Sequence, residues 1–188
     1  SAEELIRKAA EDARRANKEA EDLIREAAKE ARRANEEAER LIREAAKRAE
    51  DALRDADRKA REKEAKDRAR KLAKEIRDLI KKAEEDAKKS HEETEELIRR
   101  AEEEIKKSHE EIKKLIERAE EEAEKKKDAE EEAKKLADDI REAAKRSLDR
   151  ARELAKRIRE AARRSLEEAK KLAEEIKKAA EKALRDAT

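Results

Sequence analysis

The chain has no cysteine, glycine, proline, methionine or aromatic residue, and valine is missing as well. Without cysteine, disulfides are excluded and the redox compartment stays open. Natural chains average roughly 7% glycine and 5% proline, so this is not the composition of an ordinary natural domain. No apolar run approaches the roughly 18 to 20 residues of a membrane span, and there is no signal-peptide pattern. The expectation is a soluble protein, cytoplasmic in an expression host. An excess of one charge sign is also missing: 56 Lys and Arg stand against 55 Asp and Glu, for a formal net charge of +1. A nucleic-acid binder would gather its cations on one face. Here the signs alternate at helical spacing, as in Glu102 with Lys106, Glu103 with Lys107 and Glu110 with Lys114. Each such pair supports a helix by about 0.2 to 0.5 kcal/mol, and neither nucleic acid nor membrane is expected as a partner.

What remains is a chain that is 59% charged, with apolar residues limited to Ala, Leu and Ile. A charge-rich, aromatic-free composition is compatible with disorder, but disorder does not require Leu and Ile to recur at fixed phase. They do recur. Leu5-Ile6 returns as Leu23-Ile24 and Leu41-Ile42, Leu79-Ile80 as Leu97-Ile98 and Leu115-Ile116, and Leu136 as Leu154 and Leu172, always eighteen residues apart. At about 100° per residue, eighteen residues complete about five helical turns, so the apolar stripe runs parallel to the axis of a straight helix.

Counted along one continuous helix, the stripe changes face twice, near 61–64 and near 124–128. An unbroken helix would scatter its apolar surface over three faces, so breaks are placed there. The second break has its own signal, because Asp128-Ala129-Glu130-Glu131 restates the capping box Ser1-Ala2-Glu3-Glu4 and follows three lysines suited to a helix C-terminus. The fold expected is all-α: an up-down-up bundle of three long, nearly straight antiparallel helices in a single domain, 1–188. The helices cover about 1–60, 65–125 and 128–188, and the bundle is open to assembly into a larger one.

A few uncharged polar residues interrupt the stripes, each with a counterpart eighteen residues away: Asn17 and Asn35, Ser90 and Ser108, His91 and His109, Ser147 and Ser165. Residues at one height on antiparallel neighbours have a constant sum of residue numbers. Asn17 with His109 and Asn35 with His91 share one such sum, and His109 with Ser147 and His91 with Ser165 share another. The implied turn centres fall inside the two breaks. Two structural polar layers are therefore expected, Asn17 with His109 and Ser147, and Asn35 with His91 and Ser165, with Ser108 and Ser90 close by. A neutral imidazole has one donor and one acceptor nitrogen, which an amide and a hydroxyl could satisfy. A slide that left such a group unpaired would cost about 1 to 3 kcal/mol, so the layers fix register. Thr94 stands where the repeat has Ile112, and the sequence gives no reason for it.

Ser, His and Asn at one height suggest a hydrolase triad, but catalysis also needs an oxyanion hole and a substrate cavity, for which the repeat offers no source. No catalytic residue, cofactor site or metal site is assigned. The eighteen-residue repeat, doubled capping box, absent aromatics and periodic polar layers resemble de novo designed untwisted helical bundles with buried hydrogen-bond layers. That resemblance implies a structural scaffold or self-assembling building block with no natural substrate, cofactor or ligand, and not an enzyme. The alanine-rich stripes make a core thin in large side chains, and the partner expected is a second copy of the chain. The alternative function is a homo-oligomer whose histidine layers respond to pH, or a symmetric module in which copies of one histidine share a metal ion.

Overall fold

The computed structural model describes residues 1–187 and is all-α, with three helices: α1 (Ala2–Lys59), α2 (Lys63–Lys125) and α3 (Glu130–Asp186). No limit departs by more than two residues from those read off the repeat. The helices belong to two compact units, one formed by 1–29 and 95–159 and the other by 30–94 and 160–188. Each unit takes one stretch of every helix and packs it as a three-helix bundle.

Within each Leu-Ile pair the isoleucine goes to the core and the leucine to its margin. Ile6, Ile24, Ile42, Ile80, Ile98 and Ile116 are buried, while Leu5, Leu23, Leu41, Leu79, Leu97 and Leu115 are only half-buried. Successive residues point about 100° apart on a helix, so only one of a pair can face the axis. One buried cluster in the first unit joins Ile6, Ile112, Ile116 and Ile140 to nine alanines, among them Ala9, Ala13, Ala119 and Ala144, and Ile24, Ile98, Ile105, Leu154 and Ile158 are also buried in that unit. A cluster in the second joins Ile42, Leu53, Ile76, Ile80, Leu172 and Ile176 to seven alanines. Burying each large side chain contributes about 1.5 to 3 kcal/mol, and alanine stabilises chiefly through its helix propensity.

Polar and charged side-chain contacts between helices give the chain directions. In the first unit Glu21 meets His109 and Arg14 meets Glu120, so α2 descends as α1 rises. In the second, Glu39 meets His91 and Glu50 meets Arg77, with the same sense. Asp12 with Arg141 and Glu19 with Arg152 rise together, which makes α1 and α3 parallel in the first unit. All these pairs involve groups open to solvent on at least one side, so each contributes no more than about 1 kcal/mol. They report geometry more than they hold it.

The junctions need no glycine because no described residue has positive φ. At the first, the Ala60 amide still donates to the Ala56 carbonyl at 3.0 Å and the Lys66 amide already donates to the Glu62 carbonyl at 3.0 Å. Ala60 itself is buried. At the second, the Ala129 amide donates to the Lys126 carbonyl at 3.2 Å, closing a turn before α3. The Glu4 amide donates to Ser1 Oγ at 3.4 Å, as the first capping box requires. By contrast, α3 begins at Glu130, one residue later than matching Asp128 to Ser1 implies.

Candidate functional site

The residues singled out by the repeat fall into two sets, one in each unit. In the first unit, His109 Nδ1 lies 3.0 Å from Glu21 Oε1, with 13% of the imidazole side chain exposed and 53% of the carboxylate side chain. His109 Nε2, Asn17 Oδ1 and Ser147 Oγ are buried and have no hydrogen-bond partner. The ion pairs place Asn17 and Ser147 near one level: α1 and α3 differ in number by 129 at Asp12–Arg141 and by 133 at Glu19–Arg152, and Ser147 follows Asn17 by 130. On the α2 side, Glu104 meets Arg150 at 2.6 Å, which sets Ser147 beside the turn that carries Ser108 and His109.

The second unit repeats the pattern. His91 Nδ1 lies 2.7 Å from Glu39 Oε1, and the imidazole side chain is 14% exposed. His91 Nε2, Asn35 Oδ1 and Ser165 Oγ are again buried without a partner. Asn35 and Ser165 are also 130 apart in number. Thr94, buried in this unit, donates from Oγ1 to the Ser90 carbonyl at 2.9 Å. A hydroxyl in an apolar position is thus satisfied by its own helix, one turn back. Ser90 and Ser108 are half-buried at the edges of their stripes.

The sequence assigned the histidines to Asn17 and Asn35, whereas their hydrogen bonds go to Glu21 and Glu39. Each glutamate lies one turn beyond the asparagine, on the same face. Their repetition at eighteen residues is the signal that identifies them; as charged residues at a stripe margin they read as solvated. The Ser and Asn side chains belong to the level expected, but no hydrogen bond joins them to the imidazoles.

Elsewhere the charged side chains make surface networks. Arg150 is hydrogen-bonded to Glu104 and to Glu153, which raise its pKa above the ordinary guanidinium value, Glu104 most. Arg40 is raised by Glu44 and more weakly by Glu37, and Arg99 by Glu96 and then Glu103. On Glu96 the hydrogen bond from Arg99, followed by that from Arg100, holds the carboxyl below its usual range. An open groove of about 450 Å³ in the first unit is lined by Ser108, Ile112, Leu115, Ser147 and Arg150.

A carboxylate, an imidazole and a serine near one level suggest acid–base chemistry. Here Nε2 and the serine Oγ, the atoms that would react, are buried. Among the described residues no group of three or more His, Cys, Asp or Glu side chains could hold a metal ion. No described helix is long and apolar enough to cross a membrane. No family model, curated protein or solved structure matches the chain.

Proposed function

We propose that the chain is a structural scaffold, a designed helical bundle whose polar layers set register and whose surface is chemically inert. The observation that carries this reading is the burial of the two His–Ser sets. In both units the imidazole Nε2 and serine Oγ are shut inside the helices, while the outside is a mesh of Arg–Glu and Arg–Asp pairs such as Arg99 with Glu96 and Arg15 with Asp12. A binding module would present a pocket with convergent polar groups, whereas the groove beside Ser147 is open, and two of the cations at its edge, Arg146 and Arg150, are engaged with Glu142 and Glu104.

The thin, alanine-rich core read from the sequence is the argument for self-association. No large apolar side chain is exposed among the described residues, so an interface between copies would rest on half-buried leucines such as Leu148 and Leu166. That supports a self-contained scaffold over an assembling one, since stable interfaces bury an apolar centre. Sedimentation equilibrium over a hundredfold concentration range tests it. A mass of 21.8 kDa throughout is expected. A multiple of that mass would replace the closed scaffold with the building block, and turnover or saturable ligand binding in a broad screen would overturn both.

A further inference from the structure

Three helices joined up-down-up can close into a bundle in two ways, with α3 on either side of the plane that holds α1 and α2. Either closure turns the same three stripes to the axis and buries the same apolar side chains. The charged flanks of the stripes are not so even-handed. In the first unit, counted at about 100° per residue, Arg14, Lys18 and Arg25 lie on one side of the line of Ile6 and Ile24, and Asp12 and Glu19 on the other. On α2 the line of Ile98 and Ile116 separates His109 and Glu120 from Glu104, Glu111 and Glu122. On α3 the line of Ile140 and Ile158 separates Arg141 and Arg152 from Arg146, Arg150 and Arg157.

The contacts of the observed closure join opposite signs at every seam: Arg14 with Glu120, Asp12 with Arg141, Glu19 with Arg152 and Glu104 with Arg150. The opposite closure would exchange the neighbours of α1. Its cationic flank would then lie along the arginine flank of α3. There Arg146, Arg150 and Arg157 follow Arg14, Lys18 and Arg25 by 132 residues each, inside the range of 129 to 133 set by the observed α1–α3 contacts. The acidic flank of α1 would lie along the acidic flank of α2. Glu19 with Glu111 and Asp12 with Glu122 have the same residue-number sums as the observed contacts Glu21–His109 and Arg14–Glu120, so they would meet at the same heights. Pairs within one helix, such as Arg25 with Asp22, persist in either closure and cannot choose between them.

We propose that the charged flanks of the helices select the direction in which the first unit closes, by setting like charges against each other in the alternative. Exposed pairs too weak to hold a bundle suffice for this, because only the difference between two closures that bury the same side chains is at stake. The selection is independent of whether copies of the chain associate.

The test uses the full chain with ¹³C-labelled alanine and leucine methyls. Leu115 and Ala143 line one groove between α2 and α3, so the observed closure should give a nuclear Overhauser contact between their methyls. In the opposite closure Leu115 faces α1 instead, at the height of Ala16. The fivefold variant Asp12→Lys/Arg14→Glu/Lys18→Glu/Glu19→Lys/Arg25→Glu exchanges the signs on α1 alone. It makes the observed α1 seams like-charged and the opposite ones complementary. The parent should show Leu115–Ala143 without Leu115–Ala16, and in the variant the second contact should appear at the expense of the first. A folded variant that keeps the parent pattern would overturn the proposal, and so would Leu115–Ala16 in the parent. If the variant does not fold, adding Glu120→Lys, Arg141→Glu and Arg152→Glu restores opposite signs in the observed closure. Cooperative folding with the Leu115–Ala143 contact should then return, and a chain that stays unfolded with these additions overturns the proposal.

Discussion

Replacing Ile140 by alanine should be among the most damaging single changes available in the first unit. Ile140 has 0% of its surface exposed and is one of four isoleucines in a buried cluster whose nine other members are alanine. Large-to-small substitutions lose the transfer free energy of the deleted carbons plus a cavity term that depends on how far the surroundings collapse, and such Ile→Ala changes span about 2 to 5 kcal/mol. Most of the surrounding side chains are alanines, which have nothing to swing into the gap, and Leu5, Leu115 and Leu136 reach the cluster only from its margin. The cost is therefore placed in the upper half of that span, about 3 to 5 kcal/mol. That is a large fraction of the total of about 5 to 15 kcal/mol typical of a folded domain. Ile140→Val should cost only about 0.5 to 1.5 kcal/mol, and Leu148→Ala, at a half-buried margin position, should fall between the two. Guanidinium unfolding followed by circular dichroism measures all three, read as midpoint shifts at constant slope. An Ile140→Ala cost below about 1.5 kcal/mol, or one no larger than that of Leu148→Ala, would show that the alanine-lined core does collapse.

Glu39→Ala removes the acceptor from a mostly buried imidazole nitrogen; the expected loss is about 1 kcal/mol, the lower end for an orphaned donor because the carboxylate side is half open to water. Glu36→Ala, exposed on the same helix, should change stability by less than about 0.5 kcal/mol, and a double-mutant cycle of Glu39 with His91 that gives no coupling would remove the pair. The Glu96 carboxyl, held low by Arg99 and then by Arg100, contributes stability that is present above its unfolded value of 4.5 and is lost as pH falls through the lower folded value. In a ¹³C titration it should protonate after the other surface glutamates, and Arg99→Leu should move it back towards them; a Glu96 that titrates with the rest rules the contact out.

The number of helices and their limits were legible because phase is unforgiving: a stripe that changes face at 61–64 and 124–128 leaves the chain no option but to turn. Phase is blind, however, to a shift of one turn, which returns every side chain to the same face. The sum of residue numbers that paired His109 with Asn17 is four less than the sum that pairs it with Glu21, and the same is true of His91 with Asn35 and Glu39. Only side-chain reach along the axis distinguishes these partners. The choice of Ile over Leu for the core is another such detail, since both residues of each pair lie on the stripe and only the exact rotation of the helix decides between them. Thr94 was opaque for a related reason. Its hydroxyl is satisfied by the Ser90 carbonyl within α2, an arrangement no periodicity reveals.

That an eighteen-residue phase organises all three helices is most directly tested by a pair of deletions. Taking out 17–34, 96–113 and 147–164 together removes one copy of the polar set, with Asn17, Ser108, His109 and Ser147, and turns each helix through about five whole turns, so every stripe stays in phase. Taking out sixteen residues from the same places instead rotates the remainder of each helix by roughly 160°. Thermal unfolding by circular dichroism should show a cooperative transition for the first protein and none for the second. Equally cooperative transitions at similar temperatures would mean that the repeat is ornament and that something other than phase holds the helices together.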